Sequence, residues 1–252
     1  MGHTEQLILK GNHMNHTDQF EKDLKALGIS LSENQLKQFL TYYEMLVEWN
    51  QVMNLTAITD YKEVLKKHFI DSLSLVKACD LQGNLSLIDI GTGAGFPGIP
   101  LKIVFPNLKI TLLDSLNKRV QFLNAVIKKL ALSDIDAVHG RAEDLAKPGM
   151  LREQYDICVS RAVANMTTLS EYCIPFVKVG GRFISYKSEK IVEEIKEAEA
   201  AIKILGGRIE KQVELYLPDS TIYRNLFVIE KKAASPKKYP RKAGLPAKEP
   251  LR

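Results

Sequence analysis

The chain has 252 residues, and its 35 Lys and Arg against 30 Asp and Glu give a formal net charge of +5 at pH 7. Hydrophobic residues make up 45% of the sequence, as in ordinary globular proteins, and no uncharged apolar run approaches the ~18 residues of a membrane-spanning helix. The three cysteines are Cys79, Cys158 and Cys173, and their wide spacing excludes both a zinc motif and a disulfide framework. We therefore expect a cytoplasmic protein that holds no metal and does not enter a membrane.

The N-terminus has the composition of a leader added for expression. Three of the five histidines lie in the first 16 residues, and the segment 1–13 precedes a second methionine, Met14. We interpret residues 1–13 as such a leader and leave them out of the fold prediction.

The chain from 14 to 80 is predicted to form an N-terminal helical region. Ser32 and Gln35 have the spacing of a capping box, and apolar residues then recur at helical intervals. Further helices are predicted on either side of this one, the first ending at Gly28 and the last covering 60–79.

From 81 to 230 the pattern changes to short apolar runs that alternate with helical stretches. The seven predicted strands are Leu85–Ile90, Leu108–Leu113, Asp136–His139, Tyr155–Ser160, Gly181–Lys187, Arg208–Leu217 and Ile222–Glu230. The predicted helices among them are Pro97–Phe105, Asn117–Leu132, Thr167–Lys178 and Glu189–Leu205. This alternation indicates an α/β fold with a mostly parallel sheet, and the last two runs are predicted to form an antiparallel pair at its end.

The last 22 residues, 231–252, account for all of the net positive charge. They contain eight Lys or Arg and one acid, for a net charge of +7, whereas the preceding 230 residues carry −2. Four of the ten prolines also lie here, so the segment is predicted to form neither helix nor buried strand and to be extended or disordered when free. Such a tail suggests contact with nucleic acid or another acidic surface, the alternative being a solvated tail without a partner.

The segment 87–100, LIDIGTGAGFPGIP, carries the clearest chemical signal. A predicted strand leads into Gly91, Gly93 and Gly95, and a helix follows. Glycines allow the backbone to turn tightly and to approach a ligand, and the amides at a helix start then face that ligand. The spacing fits AdoMet-dependent methyltransferases, but an overlapping G-x-G-x-x-G that starts at Gly93 also fits dinucleotide binding, so both readings stay open.

Asp114 ends the second predicted strand, where an acid can accept hydrogen bonds from both hydroxyls of a ribose. Because NAD and AdoMet both contain an adenosine ribose, this residue does not distinguish them. Three features favour AdoMet: the antiparallel end of the sheet, the stretch RAED at 141–144 after the third strand, and the lack of a second nucleotide-binding half in the sequence.

Seven segments carry a specific resemblance: WNQVMNLTAIT (49–59), HFIDSL (68–73), DIGTGAGFPGIPL (89–101), LLDSLNKRVQFL (112–123), HGRAEDL (139–145), SRAVA (160–164) and YPRKAGLPAKEPL (239–251). Together these segments resemble the bacterial 16S rRNA guanine-N7 methyltransferase family, RsmG, also called GidB. The first and last are far more restrictive than the glycine motif, which many methyltransferases share. The resemblance implies a Rossmann-like class I AdoMet-dependent methyltransferase with a mostly parallel seven-stranded sheet and an N-terminal helical extension, acting on 16S rRNA or the small ribosomal subunit.

The resemblance also implies which residues contact AdoMet. They are Gly91, Phe96, Ala142, Glu143 and Arg161. The motif argument adds three residues to the same pocket: Gly93, Gly95 and Asp114. Each assignment has a structural alternative, since Phe96 could pack in the core, Glu143 could cap a helix and Arg161 could form a structural ion pair.

The chemistry expected of this family needs no general acid or base. Guanine N7 carries a lone pair and no proton, and the AdoMet sulfonium is already a strong electrophile, so the enzyme has only to align the two and exclude water. We therefore predict no catalytic acid or base. Arg161 is a candidate clamp for the methionine carboxylate, guanine O6 or an RNA phosphate, and Lys118, Arg119 and Tyr186 are candidates for RNA contact or for ordinary packing.

Two other functions stay open on the residues alone. A non-catalytic ribosome-assembly or RNA-binding factor would keep the basic tail, and an NAD-linked oxidoreductase would use the overlapping glycine pattern. For the methyltransferase we expect a monomer in which the tail and Arg161 hold RNA. Truncation after Glu230 is then expected to flatten the slope of log K for RNA against log salt and to leave AdoMet affinity nearly unchanged.

Overall fold

The computed structural model describes residues 18–161, 164–188 and 192–251, so the predicted leader over 1–13 lies outside the described residues. The strands are β1 Ser86–Ile90, β2 Lys109–Asp114, β3 Ile135–His139, β4 Tyr155–Arg161, β5 Val177–Lys187, β6 Gly207–Tyr216 and β7 Tyr223–Lys231. They form one sheet in the order β3-β2-β1-β4-β5-β7-β6, in which β7 runs antiparallel to both of its neighbours. The predicted α/β fold, mostly parallel sheet and antiparallel end pair are confirmed.

The helices are α1 18–27, α2 Glu33–Met53, α3 61–77, α4 Gly98–Val104, α5 Asn117–Lys129, α6 Ala142–Leu145, α7 Met166–Cys173, α8 Val192–Ile204 and α9 Leu245–Lys248. The predicted capping box at the start of α2 is confirmed, because the Gln35 amide donates to Ser32 Oγ at 3.3 Å and the Ser32 amide donates to Gln35 Oε1 at 2.9 Å. Helix α3 is irregular, with a π-helical turn at Leu65–Ile70 and a 3₁₀ turn at Ser74–Lys77.

Helices cover both faces of the sheet, and alternate residues of each strand enter different clusters of buried side chains. Leu87 packs in the cluster that also holds Phe39 of α2 and Phe69 of α3, whereas its neighbour Ile88 packs in the cluster that holds Leu169 of α7. The N-terminal helices therefore cover one face of the sheet together with α4 and α5. Burial on both faces explains why the central strands read as nearly continuous apolar runs.

The prediction of a single helix over 167–178 is wrong in its second half. Helix α7 ends at Cys173, a short 3₁₀ turn contains Pro175, and β5 begins at Val177, four residues before the predicted start at Gly181. Proline cannot donate a helical hydrogen bond, and the β-branched Val177 pairs with β4 instead.

The prediction of an extended or disordered tail is also wrong. Residues 231–251 lie against the domain, with Ser235, Tyr239 and Pro246 buried. A short helix forms as well, and Pro246 sits in its first turn, where the missing amide donor costs nothing. Polar and charged contacts hold the tail together with Tyr239, which packs in the cluster of buried side chains that holds Leu169.

Candidate functional site

The glycine loop between β1 and α4 crosses the carboxyl edge of the sheet beside β2 and β4. Gly91, Gly93 and Gly95 have φ angles of 69°, 62° and 98°, in the left-handed region that side chains disfavour. The prediction that the backbone turns sharply here is confirmed. The carboxyl edge at the point where strand order reverses is the usual ligand position in open α/β sheets.

Two cavities lie at this edge, and both are lined by Gly91. The larger has a volume of about 580 Å³ and is bordered by the glycine loop and by residues of α3, β4, β5 and β7. The smaller has a volume of about 180 Å³ and is bordered by the ends of β1 and β2, by α6 and by Gly244 of the C-terminal tail. The glycine loop therefore borders both cavities through Gly91.

Seven of the eight sequence-predicted contact residues line these cavities. Gly91, Gly93, Phe96 and Arg161 border the larger one. Gly91, Asp114, Ala142 and Glu143 border the smaller one. Gly95 borders neither of these cavities, and a Cβ there would lie 2.5 Å from Ile99 Cδ1 and 2.8 Å from the Tyr42 hydroxyl. Its glycine is required for packing of the loop against the N-terminal helices.

The Asp114 carboxylate joins the glycine loop to the end of β2. The Gly93 amide donates to Oδ2 and the Leu116 amide donates to Oδ1, each at 2.9 Å, and Arg119 Nη1 lies 3.4 Å from Oδ2. Only 2% of Asp114 is exposed. A carboxylate can accept about four hydrogen bonds, so these oxygens retain acceptor capacity beside the smaller cavity.

A second carboxylate, Asp89, lies beneath the loop. Its Oδ2 accepts from Thr92 Oγ1 at 2.7 Å and from the Gly98 amide at 2.9 Å, and its Oδ1 has no partner. Burial raises the pKa of Asp89 to about 6, and the two hydrogen bonds limit the rise. The close packing extends to Gly98, where a Cβ would lie 2.2 Å from Leu112 Cδ2. Asp89 thus shapes the loop from below.

Arg161 belongs to a group of four side chains beside the larger cavity, which we call the arginine cluster: Arg161, Arg224, Asp71 and His68. Arg161 Nη1 donates to Asp71 Oδ2 at 2.9 Å, and Arg224 Nε donates to Asp71 Oδ1 at 2.7 Å. One buried carboxylate between two guanidinium groups leaves a net positive charge at the cavity. Arg161 thus forms the structural ion pair and also borders the cavity, while its contact with cofactor or substrate stays a prediction.

His68 links the arginine cluster to Phe96. The two rings are stacked with centroids 4.5 Å apart, and His68 Nε2 lies 2.9 Å from Thr56 Oγ1. Burial, with Arg161 as the next cause, lowers the pKa of His68 to about 4, so the ring is neutral at pH 7. Its Nδ1, 3.3 Å from Arg161 Nη2, is assigned as the acceptor, which makes Nε2–H the donor to Thr56.

Three further predicted contacts are accounted for within the fold. The Tyr186 hydroxyl donates to the Ser72 carbonyl at 2.8 Å and the residue is 3% exposed, so it packs in the core, and it also borders the larger cavity. Lys118 lies 3.4 Å from the Met53 carbonyl, at the surface. Arg119 is the Asp114 partner and also borders the larger cavity.

Sequence reasoning missed His68, Asp71 and Arg224. The first two lie in the segment HFIDSL, which we interpreted as part of a helix and of the family resemblance, without assigning a role to either side chain. The polar pair at helical spacing was a usable signal. Arg224 stands in β7 without any motif, and nothing local marks it.

Comparison with known proteins identifies the family. The family model of rRNA small subunit methyltransferase G matches residues 35–223. Ribosomal RNA small subunit methyltransferase G of Lachnoclostridium phytofermentans is 53% identical over 238 residues, which cover 94% of this chain and 98% of the relative. The enzyme of the same name from Alkaliphilus metalliredigens is 54% identical, with 90% and 95% covered. The chain belongs to the rRNA small subunit methyltransferase G family.

The fold agrees with this membership. A SAM-dependent methyltransferase from Aquifex aeolicus superposes with a TM-score of 0.51 at 17% identity, covering 70% of this chain and 96% of that one. The predicted class I methyltransferase fold is thereby confirmed, and membership of the small subunit methyltransferase G family excludes the oxidoreductase and non-catalytic readings.

Within residues 18–161, 164–188 and 192–251, no group of three or more His, Cys, Asp or Glu side chains could hold a metal ion. Across the same residues, no helix is long and apolar enough to cross a membrane.

Proposed function

We propose that this protein transfers the methyl group of AdoMet to N7 of a guanosine in 16S rRNA, as a cytoplasmic monomer that acts on the rRNA or the small ribosomal subunit. The observation that carries this proposal is the paired cavity at the carboxyl edge of a methyltransferase sheet, bordered by the glycine loop and Asp114. The names of the relatives, which are rRNA small subunit methyltransferases, support the substrate class.

The residues around the smaller cavity fit the nucleoside part of AdoMet. Asp114 retains acceptor capacity suited to ribose hydroxyls, and Ala142 and Glu143 border the space that an adenine would need. Gly91 and Gly93 present backbone without side chains, so a ligand can approach closely. AdoMet supplies an activated methyl group on a sulfonium.

The larger cavity fits the reacting base. Guanine N7 attacks with its own lone pair, so no side chain has to remove a proton, and His68 stays neutral in its stack on Phe96. Arg161 and Arg224, each with 15% of its side chain exposed, present guanidinium groups that can donate to guanine O6 or to a phosphate. Their role is to orient the substrate, and the surrounding loop and helices exclude water.

The C-terminal tail supplies charge for RNA close to this site. Five of its lysines are exposed: Lys232, Lys237, Lys238, Lys242 and Lys248. Because Gly244 borders the smaller cavity, these lysines lie on the segment that reaches the site itself. Phosphate neutralisation by such lysines makes RNA binding fall with salt.

Methyl transfer to RNA tests the proposal. The protein is incubated with AdoMet carrying a tritiated methyl group and either deproteinised 16S rRNA or small subunits, and the RNA is digested to nucleosides. We expect label in 7-methylguanosine and much less label with Asp114→Ala. Label in another nucleoside would refute the N7 assignment, and no label with either substrate would refute the rRNA substrate.

A further inference from the structure

The C-terminal segment 235–251, which we call the C-terminal strap, closes one side of the smaller cavity. Gly244 of the strap borders this cavity together with Asp114, Glu143 and Tyr172. The Gly244 amide donates to Glu143 Oε1 at 2.9 Å, and only 5% of Glu143 is exposed. The strap therefore contacts the side chain that follows Ala142 at the proposed adenine position.

A buried ion pair holds the strap in place. The Arg241 guanidinium donates to Glu171 of α7 from Nε at 3.0 Å and from Nη2 at 2.7 Å, and the Arg241 amide donates to the same carboxylate at 2.8 Å. The Glu171 side chain is 1% exposed, so Arg241 supplies contacts that water does not reach. Arg241 Nη2 also donates to the Glu249 carbonyl at 2.7 Å, which folds the strap back on itself.

Main-chain carbonyls of the strap provide further anchors. Arg152 donates to the Ser235 carbonyl at 2.6 Å and to the Tyr239 carbonyl at 2.7 Å. Thr168 Oγ1 of α7 donates to the Pro246 carbonyl at 3.1 Å. Contacts at both ends and in the middle thus place Gly244 at the cavity, and Tyr239 of the strap also packs in the cluster of buried side chains that holds Leu169.

We propose that the C-terminal strap is part of the AdoMet site, and that its docking and the binding of AdoMet strengthen each other. This inference rests on the proposed function. A ligand in the smaller cavity contacts the strap only when the strap is docked, so the ligand binds the docked state more tightly. By reciprocity, AdoMet stabilises the docked strap by the same factor. The proposal replaces the expectation that removal of the tail leaves AdoMet affinity unchanged.

Hydrogen exchange on the full-length protein tests the coupling without any substitution. On addition of AdoMet we expect slower exchange at the amides of Arg241 and Gly244, which donate to Glu171 and Glu143. Slower exchange at Gly93 of the glycine loop reports cofactor binding independently. Protection at Gly93 with no change in the strap would overturn the coupling alone, whereas no protection at any of these amides would overturn the proposed function as well.

Calorimetric titration with AdoMet measures the contribution of the strap to affinity. The double variant Glu171→Gln, Arg241→Gln loosens the anchor without leaving a buried unpaired charge, and we expect about tenfold weaker AdoMet binding. The double variant Glu193→Gln, Lys196→Gln removes an exposed ion pair of α8 instead, so it is the matched control and should bind AdoMet as the unmodified protein does. A second variant that ends after Ser235 keeps the buried Lys231 and Ser235 and should also bind more weakly. Unchanged affinity in both strap variants would overturn the proposal.

Discussion

Acidification is expected to destabilise the protein through His68. The folded-state pKa of this ring is lowered to about 4 by burial and by Arg161, against an ordinary value of 6.5. Between these two pKa values, His68 is protonated in the unfolded chain and neutral in the folded chain. The stability that the neutral, buried ring contributes is therefore fully present above pH 6.5 and is lost as the pH falls toward 4.

The magnitude follows from the separation of the two pKa values. With about 1.4 kcal/mol per pH unit, the free energy of unfolding falls by about 2 kcal/mol between pH 7 and about pH 5, and by about 3 kcal/mol near pH 4. Asp89 acts in the opposite direction, because its folded-state pKa is raised to about 6 and the folded chain holds a proton there that the unfolded chain releases. The net pH profile of the protein alone would therefore hide the effect of His68.

The assay is urea denaturation of the protein and of His68→Gln at several pH values in this range. Gln keeps the hydrogen-bonding capacity toward Thr56 and Arg161 but does not titrate, and Asp89 is present in both proteins. The difference in unfolding free energy between the two proteins should shift by about 2 kcal/mol in favour of the variant between pH 7 and about pH 5. A difference that does not change with pH, or an NMR titration of His68 near 6.5, would refute the reasoning.

Three further predictions concern the glycine loop, Asp114 and the tail. Gly98→Ala should lower the unfolding free energy by about 2 kcal/mol, because a Cβ at this position would collide with Leu112 Cδ2. Gly93→Ala should lower it by about 1 kcal/mol, because a Cβ there has open space but the φ of 62° disfavours a side chain. Equal losses of unfolding free energy in the two variants would contradict the packing argument. Asp114→Ala should weaken AdoMet binding about tenfold in calorimetry by removing carboxylate hydrogen bonds, and equal affinity would reject the ribose role. Changing Lys237 and Lys238 to Gln should flatten the slope of log K for RNA against log salt by roughly 0.7 for each phosphate no longer neutralised, and an unaltered slope would exclude these lysines from RNA contact.

The sequence predicted the succession of strands along the chain, the sharp turn at the glycine loop and the position of Asp114 at the end of β2. Each depends on local periodicity or on a residue type that a tight turn or a strand end requires. The three loop glycines do adopt positive φ, yet Gly95 serves packing against Tyr42 and Ile99 and does not border either cavity of the site. A motif therefore predicts a backbone shape more securely than it predicts which atoms meet the ligand.

The C-terminal tail shows where composition misleads. Its charge and prolines predict an extended chain, but the sequence cannot show that Glu171 and Glu143 lie where Arg241 and the Gly244 amide can reach them. These partners are 70 and 101 residues away along the chain. Only the packing of α6 and α7 on the sheet brings them together.

The sequence by itself therefore determined the fold class and the family, and it predicted the sheet edge at which the candidate site lies, because these follow from short-range patterns. The tertiary structure alone decided the electrostatics of the site. Asp71 lies between Arg161 and Arg224, 90 and 153 residues distant, and His68 is neutral because that cluster and Phe96 bury it. The energy of an ion pair depends on the distance between the charges in space, and a pKa depends also on burial away from water. The spacing of residues along the chain specifies neither distance nor burial.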